Sequence, residues 1–255
     1  WRKSGCMEKL PWHKIKCFSS TGECSNPEDM LYLMSLAGYK PILEYCGGTE
    51  IGGAYITSTL LEENAPSVFT GPALGSAFVL LDDNGEPSNQ GEVALIPPTL
   101  GLSTQLLNAD HYHVYFENMP RLFNGNPLRR HGDQLRRSAD GHYMVLGRMD
   151  DTMKISGIKV SAAEIERALV GVPHIQELAA VAIAPPAGGP SRLVIYAATQ
   201  VALNSAAVLR DCQQRISANL NPLIRISEVV LVKELPKTAS NKIMRRLLRH
   251  YAQEN

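Results

Sequence analysis

The chain has 255 residues, 25 Lys plus Arg against 25 Asp plus Glu, a length that allows one large domain or two ordinary ones, each with a real core. Zero net charge removes the global basic field that drives non-specific nucleic-acid or membrane binding. With 44% hydrophobic and 20% charged residues the composition is that of an ordinary globular protein, and its most apolar stretch, Val68 to Leu81, is too short and too interrupted by Gly71, Pro72 and Gly75 to span a bilayer.

In chain order, residues 27–38 carry acidic residues at the start and Gly at the end, as a helix should. Ala77 to Leu81, an Asp-Asp-Asn-Gly turn and Glu92 to Ile96 form a hairpin candidate. Ala139-Asp140-Gly141 is a turn into the strand-like HYMVLG, so the middle stretch reads as a small β subdomain. The pattern changes at Arg148-Met149-Asp150-Asp151. Ser161 and Glu164 then make a capping box opening a helix that buries Ile165, Ala168 and Leu169. Leu178 to Ala184 reads as a strand, Pro185 to Pro190 as a loop, Arg192 to Thr199 as a strand, Val208 to Leu220 as a helix and Glu228 to Val232 as a strand. This alternation predicts a compact α/β unit of about a hundred residues. Leu235 to Asn241 reads as loop. The last helix is expected to begin near Lys242, with Ile243, Met244, Leu247, Leu248 and Tyr251 on one side and Lys242, Arg245, Arg246 and Arg249 on the other. Four like charges on one face need something anionic or solvated opposite them.

The five cysteines (Cys6, Cys17, Cys24, Cys46, Cys212) are odd in number and contain no Cys-x-x-Cys pair. Neither a disulfide framework nor a zinc knuckle follows, and a reducing interior is the default compartment. The chain opens on Trp1 without a signal-peptide pattern and is expected to be a piece of something longer. Its Ala-Gln-Glu-Asn end is not the Ser-Lys-Leu peroxisomal address.

Three further clusters carry chemistry. They are Gly22-Glu23 after Ser19-Ser20-Thr21, Tyr45-Cys46-Gly47-Gly48-Thr49-Glu50, and His131-Gly132-Asp133 leading on to GRMDDTMKISGIKVSAAEIE at 147–166. Small residues beside a Thr-Glu pair let backbone approach a phosphate, with a hydroxyl donor and a carboxylate for Mg²⁺. Asp133, after a glycine turn, can accept from both hydroxyls of a ribose, and Arg148 offers a cationic fork. Each cluster also has a bland reading. The glycine pairs and Asp150-Asp151 suit ordinary turns. Cys46 could be a nucleophile or merely small. Asp110-His111-Tyr112-His113 could supply metal ligands or pack at the surface. The basic run suits a solvated helix face, or a grip on nucleic acid that neutral charge and the lack of interleaved aromatics weaken.

Taken in order from Ser20 to Arg249, these motifs resemble the C-terminal half of an adenylate-forming enzyme of the acyl-CoA and acetyl-CoA synthetase family, with LPKTASNKIMRRLLR and GRMDDTMKISGIKVSAAEIE as the most specific parts. The Cys-Gly-Gly-Thr-Glu variant is most similar to plant acyl-activating enzymes of peroxisomal type. The resemblance implies an α/β fold: residues 1–149 would end a large AMP-binding domain and include its β subdomain, residues 150–151 would be a hinge at Asp150, and residues 152–255 a small mobile lid. It implies ATP, Mg²⁺ and coenzyme A, a carboxylic acid substrate, and an intracellular setting in peroxisome or cytosol. No nucleic acid and no membrane span belong to it. By the resemblance Lys242 is the adenylation lysine, Gly22 and Glu23 border adenine, Gly48 belongs to the nucleotide site, Thr49 meets the α-phosphate, Glu50 holds Mg²⁺, and Asp133 meets the ribose with Arg148 beside it. Lys154, Ser156 and Gly157 line the thioester-forming conformation.

This chain departs from the family at several points. Cys46 stands where the family stacks an aromatic ring on adenine, so Tyr45 substitutes or adenine is held differently. Gly47 replaces the Trp of acetate-specific members and implies a larger acid. Lys159 replaces an arginine in the nucleotide motif, losing the bidentate fork. Asn241 replaces the usual Gly before the lysine and tolerates left-handed backbone. The family's Ser/Thr/Gly-rich phosphate loop ending in Lys is absent from these residues, so an upstream half is implied and the 255 residues alone are expected to be inactive. The second expectation is a non-catalytic nucleotide- or acyl-binding module derived from such an enzyme.

Overall fold

The computed structural model describes residues 2–22, 25–122, 124–155, 157–184, 191–239 and 241–254. The fold is mixed α/β, in two compact units, Trp1–Leu146 and Gly147–Asn255.

In the first unit, β1 (Phe18–Ser20) runs parallel to β2 (Ile42–Gly48), joined through helix α1 (Pro27–Leu36). The helix starts where it does because the Asn26 side chain accepts from the backbone N–H of Glu28 and Asp29 and proline occupies its first turn. It stops two residues short of the expected Gly38, where Gly38 and Tyr39 turn left-handed at φ +63° and +58°. β3 (Gly53–Thr57) and β4 (Gly71–Pro72) complete a four-stranded sheet in the order β1-β2-β3-β4.

A second four-stranded sheet holds β5 (Phe78–Leu81), β6 (Gln90–Leu95), β7 (Arg129–Arg137) and β8 (Tyr143–Arg148) in sequence order, with the short helix α2 (His111–Tyr115) between β6 and β7. β5 and β6 form the expected hairpin. Asp82 closes its loop by accepting from the N–H of Asn84 at 2.8 Å and Glu86 at 3.0 Å. At the next turn, the Ser138 hydroxyl and then His142 hold the Asp140 carboxyl down at about 2. Ile51, Tyr55, Ile56, Phe69, Leu80, Val93, Leu95 and Leu135 form the main core of this unit.

The second unit opens with a hairpin of β9 (Thr152–Ile155) and β10 (Ile158–Ser161), which periodicity reads easily once seen: Met153, Ile155 and Val160 are buried while Lys154 and Lys159 are exposed. Ser161 then caps α3 (Ala162–Ala168) in a full capping box with Glu164. β11 (Glu177–Ile183) pairs antiparallel with β12 (Arg192–Ala198), and β12 pairs parallel with β13 (Ile226–Val232) across α4 (Ser205–Asn219). α4 begins three residues earlier than expected because Asn204 caps it.

This sheet is covered on both sides. Leu193, Ile195 and Ala197 face Ile165, Leu169, Val208, Cys212 and Ile216, whereas Val194, Tyr196 and Ala198 pack with Leu235 and Leu248. The alternation of period two explains why β12 reads as an unbroken apolar run. Leu248 lies on the last helix, α5 (Arg245–Glu254). Among the described residues no helix is long and apolar enough to cross a membrane.

Candidate active site

Asp133 is the centre of a buried polar cluster in the first unit. It does not follow a turn, as its glycine suggests, but lies within β7. There the ladder to β6 slips between Glu92 and Ala94 while Gly132 takes φ +88°. Such a bulge needs glycine and re-aims the flanking side chains. His131 and Asp133 consequently converge, Nε2 standing 3.0 Å from Oδ2. The same oxygen accepts from the Tyr55 hydroxyl at 2.9 Å and the Cys46 thiol at 3.2 Å. A carboxylate only accepts, so His131 carries its hydrogen on Nε2 here. Burial first, then the Asp133 charge, pushes the Tyr55 phenol well above its usual 10.

Cys46 therefore points inward, and Tyr45, its neighbour on β2, is 41% exposed. Adjacent strand residues face opposite sides. Tyr45 therefore points away from the Asp133 cluster that Cys46 joins. The missed participant is Tyr55. Its only signal was a tyrosine inside an apolar strand, since a buried hydroxyl needs a partner.

Thr49 and Glu50 sit exposed on a single helical turn, Thr49–Ile51, capped by Gly48 and ended by left-handed Gly52. The turn is pinned from beneath: the Ser103 N–H donates to the Glu50 carbonyl at 2.8 Å, and the Arg129 guanidinium reaches Ser103 Oγ at 3.0 Å. Arg129 is 1% exposed and stacks over the Tyr115 ring at 3.8 Å. Burial pulls its pKa down, with Tyr115 and Glu50 holding it up. Among the described residues no group of three His, Cys, Asp or Glu could hold a metal. His111 instead bonds the Ser103 carbonyl at 2.8 Å, and His113 pairs with Glu117 at 2.6 Å. Gly22 is exposed at φ +105°; Glu23 lies outside the described residues.

Gly47 has a backbone reason of its own. A Cβ there would sit 1.9 Å from the Gly53 carbonyl oxygen, because β2 and β3 slip register between Cys46 and Gly47. Only glycine fits this approach.

In the second unit Lys242 is exposed but does not lie in the helix, which begins at Arg245. It sits on a tight turn. Thr238 Oγ1 accepts from the Lys242 N–H at 3.1 Å, the Thr238 N–H donates to the Lys242 carbonyl at 2.9 Å, and Lys237 bridges to Ile243. Asn241 is left-handed at φ +67°, the conformation its side chain tolerates. The rest of the basic run differs from expectation. Met244 and Tyr251 are 40% and 43% exposed, while Arg245 is largely buried. Arg245 bonds both Glu166 oxygens, at 2.8 and 2.9 Å, and Asp151 at 3.2 Å; Arg249 bonds Asp151 at 3.0 Å and the Asp150 carbonyl at 3.2 Å. These arginines are structural, not surface.

Arg148 pairs with Asp150 at 3.3 Å, both well exposed. Lys154 and Lys159 are register partners across the β9–β10 hairpin, two cations side by side where like charges disfavour each other. Gly157 turns at φ +82°; Ser156 lies outside the described residues.

Residues 164–242 match the AMP-binding enzyme C-terminal domain. Over 98% of its length the chain is 43% identical to probable acyl-activating enzyme 17, peroxisomal, of Arabidopsis thaliana, and 43% identical to hexanoyl-CoA synthase of Cannabis sativa. It spans 36% of the length of each. Acetoacetyl-CoA synthetase from Streptomyces lividans superposes on the whole chain with a TM-score of 0.82 over 39% of its own length, at 22% identity, a likeness of fold.

Proposed function

Since this chain carries the C-terminal domain of AMP-binding enzymes within sequence similar throughout to plant acyl-activating enzymes, we propose that it supplies part of an AMP-forming acyl-CoA ligase. The reaction has two halves. A carboxylate oxygen attacks the α-phosphorus of ATP and expels pyrophosphate, giving acyl-AMP. The thiol of coenzyme A then attacks the acyl carbon and expels AMP.

The exposed Lys242 ammonium, carried on its hydrogen-bonded turn, is the observation that carries this reading. Two anions must meet, and a mobile cation touching both stabilises the charge developing on the transferring phosphoryl group. Asp133 would accept from the ribose hydroxyls beside Arg148, Gly22 and Glu23 would border adenine, Gly48 would belong to the nucleotide site, and Thr49 would meet the α-phosphate. A Mg²⁺ held at Glu50 would neutralise phosphate charge. Asp150 would be the hinge of a lid comprising residues 152–255. Lys154, Ser156 and Gly157 would serve the thioester-forming state, and Lys159 would contact the nucleotide. The acid would be larger than acetate, in line with a relative named hexanoyl-CoA synthase, and the compartment would be peroxisome or cytosol. These 255 residues alone, without a phosphate-cradling loop, would be silent.

The test is carboxylate-dependent ATP–pyrophosphate exchange by the full-length polypeptide, with acids from acetate to long-chain and aromatic. Exchange is expected with medium or larger acids and falls by roughly two to three powers of ten in Lys242→Ala. Undiminished exchange in the variant would overturn the lysine assignment. Absence of exchange with every acid, in folded wild type, would leave a binding module.

A further inference from the structure

We propose that Tyr55 is a positioning residue for the nucleotide, holding the Asp133 carboxylate in the orientation that meets the ribose. This rests on the reading of Asp133 as the ribose acceptor.

The first observation is that Tyr55 is immobile. It is 0% exposed, its ring lies edge-on to Phe78 at 5.6 Å and tilted against His131 at 4.4 Å, and it belongs to the main core of its unit. A ring packed on two sides has no alternative rotamer without opening the core. The second is that its hydroxyl has been taken out of water, which disfavours Tyr against Phe at this position unless the hydroxyl gains a strong partner. That partner is Asp133 Oδ2, at 2.9 Å. The third is that Asp133 sits on a bulge beside left-handed Gly132, where the backbone alone does not fix the carboxylate. Three donors on one oxygen do: Tyr55, His131 and the weaker Cys46 thiol. Rotation of the carboxylate would break the Tyr55 bond and leave a buried hydroxyl only the weaker Cys46 side chain as partner. With its phenol pushed well above 10, Tyr55 remains a donor at any physiological pH.

A hydrogen bond of this kind, formed before the nucleotide arrives and kept throughout, acts on binding and not on the chemical step. In the full-length polypeptide Tyr55→Phe is expected to raise KM for ATP about ten- to a hundredfold, the worth of one charge-assisted hydrogen bond, with kcat unchanged. It should also blunt the preference for ATP over 2′-deoxy- and 3′-deoxy-ATP, which a merely structural role would leave intact. Asp133→Asn should do both more strongly, and the double variant should be no worse than Asp133→Asn. Near-UV circular dichroism checks each variant's fold. Should Tyr55→Phe fail that check, Tyr55→3-fluorotyrosine keeps the ring and hydroxyl while changing the O–H acidity, and the same discrimination ratio must shift. If Asp133→Asn leaves KM and the discrimination unchanged, the nucleotide reading itself falls. If Asp133→Asn is impaired but Tyr55→Phe behaves as wild type, or the two effects simply multiply, Tyr55 does not act through Asp133 and the proposal is overturned.

Discussion

At Gly47, as at Asn241, backbone geometry dictates the residue, but only one of the two positions is legible in the sequence. Asn241 is: a residue replacing glycine in a loop must accept left-handed backbone, and Asn does so at φ +67°. Gly47 is not, because the atom that forbids a side chain there belongs to Gly53, across a register slip between two strands. Its glycine is explained by crowding before any substrate is invoked, so acid size must be measured and not read from this position. Gly47→Ala should destabilise the protein by about 1–3 kcal/mol, the usual result of forcing atoms into filled space. Gly53→Ala, where a Cβ meets nothing within 4 Å, is the control. Urea unfolding of the two variants checks this. Equal stabilities would mean that the strands part easily at Gly47, and the acyl-pocket reading would regain its independent support.

The basic run shows what an element can hide. Helical spacing predicts that Arg245, Arg246 and Arg249 share one exposed face, yet two of them are spoken for by carboxylates far away in sequence: Glu166 is 79 residues from Arg245, and Asp151 is 98 from Arg249. Nothing in a 15-residue window could announce those partners. Burial raises the Glu166 pKa despite the pull of Arg245, so the pair is not a simple gain in stability. Removing one partner, however, strands the other charge. Arg245→Ala should therefore cost about 3–5 kcal/mol in urea unfolding, whereas exposed Arg246→Ala should stay within about 0.5 kcal/mol. Replacing Arg245 and Glu166 together by Met should recover most of the loss. Equal effects of the two single variants would mean that water already solvates Glu166. Helix α4 gives the opposite lesson, since its stripe of Val208, Cys212 and Ile216 is visible in the sequence and buried in the structure. Burial pushes the Cys212 thiol up to about 11. At pH 8, iodoacetamide should modify exposed Cys6 and Cys17 while leaving Cys212 intact until denaturant unfolds the chain. Peptide mass mapping reads this, and early loss of Cys212 would show that α4 opens locally.

At the scale of the whole molecule, the two units differ in how far local rules determine them. In the second, the strands of the main sheet are apolar runs bounded by Pro, Gly or a capped helix, and sequential elements pack on that sheet, so the sequence pattern already gives β11, α4 and β13. In the first, the pairings are remote. β6 joins β7 with Gln90 opposite Arg136, and two of the three donors to Asp133 come from 78 and 87 residues away. A motif identifies Asp133, but only the folded sheets reveal what holds it. The same contrast bears on independence. The clusters around Ile165 and Cys212 and around Val194 and Leu248 are built wholly from residues 147–255, while the first unit leaves Leu61, Leu74, Leu100 and Leu107 more than 90% exposed. A unit whose core needs no outside side chain should fold alone. Residues 147–255 expressed by themselves should melt in a single calorimetric transition, with a heat-capacity increment of about 1.5 kcal/mol/K for a unit of this size and Cys212 still inert to iodoacetamide. A broad, non-cooperative melt with Cys212 reactive would mean that the apparent self-sufficiency of this core is borrowed, and a rigid lid turning about Asp150 would then have no physical basis.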